Sequence, residues 1–183
     1  MASAPLADIE EIPRELLREP LEWFFAEHYR HRQLCRLVEE VAAASAFAAE
    51  PITRILDFIR YDLALHVIDE EEDLFPLLRR RALPEDEIEN ALGRLSAEHR
   101  ADVAHAEAVR TRLEACLSAC KAPGLDPQAK STLVTFARHE LRHLALENAV
   151  VLPIARLRLS TEDLLALSRR LAARRGLVLD ARP

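Results

Sequence analysis

Two stretches of this chain repeat one arrangement of imidazole and carboxylate. Residues 26–28 read Ala-Glu-His, and downstream comes His66-Val-Ile-Asp-Glu70, with a proline at position 76. Residues 97–99 again read Ala-Glu-His, followed by His143-Leu-Ala-Leu-Glu147 and a proline at position 153. In a helix, positions i and i+4 lie one turn apart on the same face. Each His-x-x-x-Glu therefore aims an imidazole and a carboxylate at one point. Brought together, the two halves offer the imidazoles of His28, His66, His99 and His143 and the carboxylates of Glu70 and Glu147, the donor set of a two-metal site. Imidazole plus carboxylate without thiolate suits iron, manganese or zinc. One shared carboxylate pair for two ions suggests that Glu70 and Glu147 bridge. His28 and His66 would then serve one ion, and His99 and His143 the other.

Such a site needs helices. With only 3 Gly in 183 residues, half of the chain apolar, and Ala, Leu, Glu and Arg abundant, the composition is that of an all-helical globular protein. A first helix is expected from about Pro20 to about Ala48, carrying Leu21, Phe24, His28, Leu34 and Val38 inward, with Trp23, Phe25 and Tyr29 broadening that face. After Glu50-Pro51 a second helix shows a bundle seam: Ile52, Leu56, Ile59, Leu63, His66, Glu70, Leu74. His66 and Glu70 stand where Leu or Ile belongs. Pro76 should kink or end this helix.

Leu83-Pro84-Glu-Asp-Glu opens a third helix, whose stripe runs Ile88, Leu92, Leu95, His99, Val103, Ala106, Leu113, Leu117, until Pro123-Gly124 closes it. Asp126-Pro127 caps a fourth helix with the stripe Leu133, Phe136, His139/Glu140, His143, Glu147, Val150, Ile154. Ser160-Thr-Glu-Asp163 resembles a capping box for a short fifth helix ending near Arg175, with Gly176 as its C-terminal cap. Short loops between long helices favour an antiparallel up-and-down four-helix bundle over 20–157. Residues 1–19 form an N-terminal arm with at most a short helix around Arg14 to Arg18, and 158–183 a C-terminal helix and tail. Counted from the turns, the ligand candidates sit at depths that differ by about 5–6 Å, roughly one turn, so all can meet in one layer.

Burial is the argument for metal. An unpartnered buried carboxylate costs several kcal/mol, and two of them with four imidazoles on core seams are hard to explain as packing. The bland alternative is a metal-free helical interaction module whose polar core residues satisfy one another and fix register. The remaining histidines fall elsewhere: His139, one turn before His143, flanks the site or adds a ligand, whereas His31 and His105 lie off the seams as solvated or rim residues. Asp62 and Glu140 are placed to accept a ligand histidine's second N–H or to relay protons, and the acidic run after Glu70 reads as a solvated face.

The net charge of -6 and the lack of a basic stripe argue against nucleic acid. No apolar run reaches the roughly 20 residues that span a bilayer, and Met1 to Ala7 lacks the makings of a secretory signal, so a cytoplasmic protein is expected. Cys35, Cys116 and Cys120 have no metal-binding spacing and read as small buried hydrophobes, Cys116 beside Cys120 on one helix.

Over about 20–155, His28, His66-x-x-x-Glu70, His99 and His143-x-x-x-Glu147 resemble the hemerythrin family, in particular its HHE cation-binding domains. The resemblance implies a four-helix bundle holding two non-haem iron ions on these six residues. Oxygen-carrying hemerythrins place a second His where this chain has Val103, and use His-x-x-x-x-Asp where this chain has Glu147-Asn148. The four-His, two-Glu set is closer to bacterial proteins of the iron–sulfur cluster repair type. A protein that reacts with or senses oxygen, nitric oxide or peroxide, in oxidative or nitrosative stress, is the function so implied. Iron or redox sensing, or storage without turnover, is the alternative.

Overall fold

A computed structural model of the chain describes residues 7–179; the outer ends of the expected arm (1–6) and tail (180–183) lie outside the described residues. Helix α1 spans Pro20–Ala43 and α2 runs over 49–81. Helix α3 spans Ile88–Ser118, α4 runs over 127–158, and α5 spans Thr161–Arg174. Among the described residues there is no strand, and no helix is long and apolar enough to cross a membrane. Helices α1 and α3 each pack along both α2 and α4, while α5 lies against α1, the 3-10 turn Arg14–Arg18 and the 70–74 stretch of α2.

The core has three layers. One apolar cluster gathers Phe24, Leu74, Phe75, Leu92, Leu95, Leu152 and the inward face of α5. A second gathers Leu34, Leu37, Ile52, Ile55, Leu63, Val109, Leu113, Leu133 and Phe136. Between them along the helices lie buried polar side chains, including His28, His31, His66, Glu70, Glu140, His143 and Glu147. Apolar burial on both sides, at about 25 cal/mol per Å², holds the helices together and fixes the depth of this polar layer.

Proline shapes the layer. Both α2 and α4 pass their proline without ending, through five-residue π-helical segments, Glu70–Leu74 and Glu147–Val151. Pro76 and Pro153 lack the N–H that would bond the carbonyl four residues back, and the wider π turn absorbs the misfit. Each π segment begins at a glutamate of the repeated phrase. A third, Phe58–Leu63, lies one turn before His66.

The structure also corrects several boundaries and faces. Helix α1 stops at Ala43, short of the expected Ala48: Ala44 turns to an extended backbone (ψ 135°), and Gly124 packs flat on this end, where a Cβ would collide with the carbonyl oxygen of Ala44. The 84–86 segment is a separate 3-10 turn, and the left-handed Glu87 (φ 46°) precedes α3. Phe25 and Tyr29 are half exposed, since each falls about 100° round α1 from its inward neighbour, Phe24 or His28. Cys120 is exposed, in a left-handed turn after the end of α3, rather than packed beside the buried Cys116. Asp126 does cap α4, accepting the N–H groups of Gln128 and Ala129, and Ser160 and Asp163 form the reciprocal box at α5.

Candidate metal centre

His28, His66, Glu70, His99, His143 and Glu147 converge in the polar layer, in two sets that share both glutamates. In the first set His28 Nε2 lies 3.7 Å from Glu70 Oε1 and 3.5 Å from Glu147 Oε2, and His66 Nε2 lies 3.6 Å from Glu70 Oε2. In the second, His99 Nε2 is 3.3 Å from Glu70 Oε2, His143 Nε2 is 2.9 Å from Glu147 Oε1, and the two Nε2 atoms are 2.9 Å apart. The oxygens of Glu147 thus divide between the sets, and Glu70 Oε2 faces both.

What orients the rings is a ring of acceptors behind them. The Nδ1–H of His66 donates to Glu27 (3.1 Å), that of His143 to Glu98 (3.1 Å), and that of His99 to Glu71 (2.7 Å). His28 Nδ1 faces Asn148 Oδ1 at 3.2 Å. The amide of Asn148 is turned that way because its Nδ2 donates to the carbonyl of Leu144. Carboxylate and amide oxygens only accept, so the proton of each neutral ring is held on Nδ1 and the Nε2 lone pair points inward.

These acceptors follow the repeat. The glutamate just before each lone histidine, Glu27 or Glu98, holds the imidazole of the His-x-x-x-Glu helix. The residue just after each core glutamate, Glu71 or Asn148, holds the lone histidine. Sequence reasoning missed all four, assigning this role to Asp62 and Glu140 and calling the run after Glu70 solvated. For Glu27 and Glu98 the signal was present in the doubled Ala-Glu-His; Glu71 and Asn148 differ in type and carried none. Asp62 instead pairs with Arg30 (2.7 Å). Glu140 accepts the Nδ1–H of His31 (2.7 Å), which is buried and not the rim residue expected. In the acidic run, Asp73 is buried and takes Arg170 and Arg174.

The centre fits a cation on its own geometry. The Nε2 atoms of His28 and His66 and both oxygens of Glu70 and Glu147 are sealed from solvent without a hydrogen bond. With both rings neutral and protonated on Nδ1, neither His99 nor His143 has an Nε2 proton to put between those nitrogens, so their approach requires an added proton, making one ring an imidazolium, or a cation. Donors bound to one ion at about 2.0–2.2 Å stand about 2.8–3.6 Å apart, which matches all but one of these separations. The field is negative. Burial opposes charge on His66 and His143, yet the glutamates push both up to about 10. Burial and the neighbouring Glu70 raise Glu147.

A cavity of about 620 Å³ between α2 and α3 reaches this layer. Its walls are Ile59, Leu63, Val67, Ile68 and Ala106, and its floor includes His66, His99 and His143. Val103, expected inward on the α3 stripe, is 71% exposed and lines this cavity, because Asp102 takes the buried side of that turn. His139 is not among the converging six; it faces Asp102 and His105.

An all-helical fold carrying clusters of buried His and Glu that can hold a metal ion is a metal-binding domain of the helical-bundle class. Residues 19–155 match the hemerythrin HHE cation binding domain, and the chain belongs to that family. No curated protein matches the chain.

Proposed function

We propose that the chain is an antiparallel four-helix bundle that holds two non-haem iron ions on His28, His66, Glu70, His99, His143 and Glu147 and reacts with or senses a small ligand such as oxygen, nitric oxide or peroxide. The observation that carries this reading is the convergence of four Nε2 atoms on two buried carboxylates, whose oxygens, with the Nε2 atoms of His28 and His66, have no hydrogen-bond partner. Iron held there supplies one-electron redox chemistry and positions for a small ligand. The protein's own residues do the rest. Glu27, Glu98, Glu71 and Asn148 fix the imidazole tautomers, the apolar cavity walls exclude bulk water, and the floor histidines meet whatever enters. Short loops, and the packing of α1 and α3 each against both α2 and α4, support the antiparallel arrangement.

The test is iron content of anaerobically purified protein with its optical spectrum before and after air, followed by peroxide and nitric oxide titration. Two irons per chain and a spectral change with one of these ligands are expected. Full metal content in a His66→Ala, His143→Ala double variant would refute the ligand set. A second reading, sensing without turnover, is favoured by one contact. Arg175 of the C-terminal segment donates to Glu27, the acceptor behind His66, so the state of the centre is tied to α5. A spectral change with no peroxide consumption would select it.

A further inference from the structure

Along the seam between α3 and α4, one to two turns beyond His99 and His143, stand Asp102, His105 and His139. Their donor atoms lie within 4.8 Å of one another. Asp102 Oδ1 is 2.9 Å from His139 Nδ1 and 3.3 Å from His105 Nδ1, and the two rings meet edge to face with centroids 5.1 Å apart. We propose that these three residues form a further cation site, of the two-histidine, one-carboxylate kind, which takes a divalent transition ion such as Zn2+, Fe2+ or Co2+ independently of the dinuclear centre.

A simple hydrogen-bonded trio would point both N–H groups at the carboxylate. His105 Nδ1 does so. His139 Nδ1 does not: it is within 2.9 Å of the oxygen, sealed from solvent, and without a hydrogen-bond partner. Donors of one ion point at a common centre rather than at each other, and edges of about 2.8–3.6 Å are those of a coordination shell with bonds of about 2.0–2.2 Å. A nitrogen close to an oxygen but misaligned with it is what such a shell leaves behind. The three side chains are 12–40% exposed, so water can complete the shell and the ion can exchange. A rise of 1.5 Å per residue puts the site roughly 5–10 Å along the seam from the second histidine set. Asp102 also lines the cavity, so an ion here would lie beside the approach to the floor histidines.

The test is equilibrium dialysis of the full chain against Co2+, comparing wild type with Asp102→Asn and with His105→Gln. Each variant should hold one molar equivalent fewer ions than wild type at the same free Co2+, with the same melting temperature in chelator. The imidazole proton signals of His105 and His139 should shift or broaden in the wild-type NMR spectrum as that equivalent binds. Equal stoichiometry in wild type and both variants, or imidazole signals of His105 and His139 untouched at saturation, overturns the proposal. Because the readout is the difference between wild type and variant, it holds whether the dinuclear centre takes two ions or none. Loss of the six-residue centre shows instead as uptake missing from both.

Discussion

Replacing Glu27 tests whether the acceptors behind the histidines govern metal affinity. The side chain is buried, receives the His66 Nδ1–H at 3.1 Å, and is held by Arg175 at 2.7 Å. Glu27→Gln keeps an oxygen for the imidazole but removes the charge that makes Nε2 a strong donor. Arg175 retains Asp69, 2.7 Å away, so no unpaired cation is left to add its own penalty. The loss should therefore sit near the lower end for such partners, about tenfold in affinity or about 1.4 kcal/mol. Glu27→Leu removes the acceptor as well and should approach about 100-fold, or about 2.7 kcal/mol. Glu98→Gln should cost less than Glu27→Gln, because the Glu98 side chain is 19% exposed against 6% for Glu27, and water screens its charge. Competition against a chromophoric chelator, fitted to stepwise binding, measures these losses. Wild-type affinity for both ions in Glu27→Leu would refute the reasoning.

Three further outcomes are expected. Burial and Glu70 raise Glu147, so its charge destabilises the metal-free fold; Glu147→Gln should raise the metal-free melting temperature by about 2–4 °C while abolishing the extra gain from metal, read by calorimetry with and without chelator. His66 and His143, raised to about 10, stabilise the metal-free protein fully below about pH 6.5, and that contribution is lost as pH rises through 10. Urea melts at intervals across that window should show the decline without metal, and metal uptake near pH 7.5 should release about two protons per chain. Gly124→Ala should cost about 1–3 kcal/mol, read from the urea midpoint, because the new methyl meets the fixed backbone at Ala44; an unchanged midpoint would mean that the α1 end can yield.

Most residues that face inward at helical spacing are legible in the sequence. The seam from Ile52 to Leu74 is buried along its length, and Asp126 and Ser160 cap the helices that they precede in sequence. Periodicity read this much because a stripe of apolar residues has one way to face a core. It failed at Val103 on the regular α3, where Asp102 takes the buried side, and it failed where a fixed 3.6-residue period failed. Three π segments reset the phase of α2 and α4, so what lies behind each ligand candidate could not be counted off by turns. Glu71 is one residue beyond a core glutamate, and a regular helix would turn it about 100° away. His31 was misplaced for another reason: it is buried by a partner, Glu140, that lies 109 positions away. Pairing between distant polar groups leaves no periodic trace.

The C-terminal helix has no counterpart in the duplicated phrase. Its arginines reach one side only: Arg174 and Arg175 engage Asp69, Arg174 and Arg170 engage Asp73, and Arg175 engages Glu27. Behind His143, Glu98 has, among the described residues, only Arg94, whose side chain is 62% exposed. A duplicated machine has thus been bolted to its frame at one end. If the centre takes two ions as proposed, the position beside His66, being the better braced, should be occupied first and vacated last. Between those events the chain would dwell in a half-loaded form, a third state that a perfect duplicate would pass through without favour.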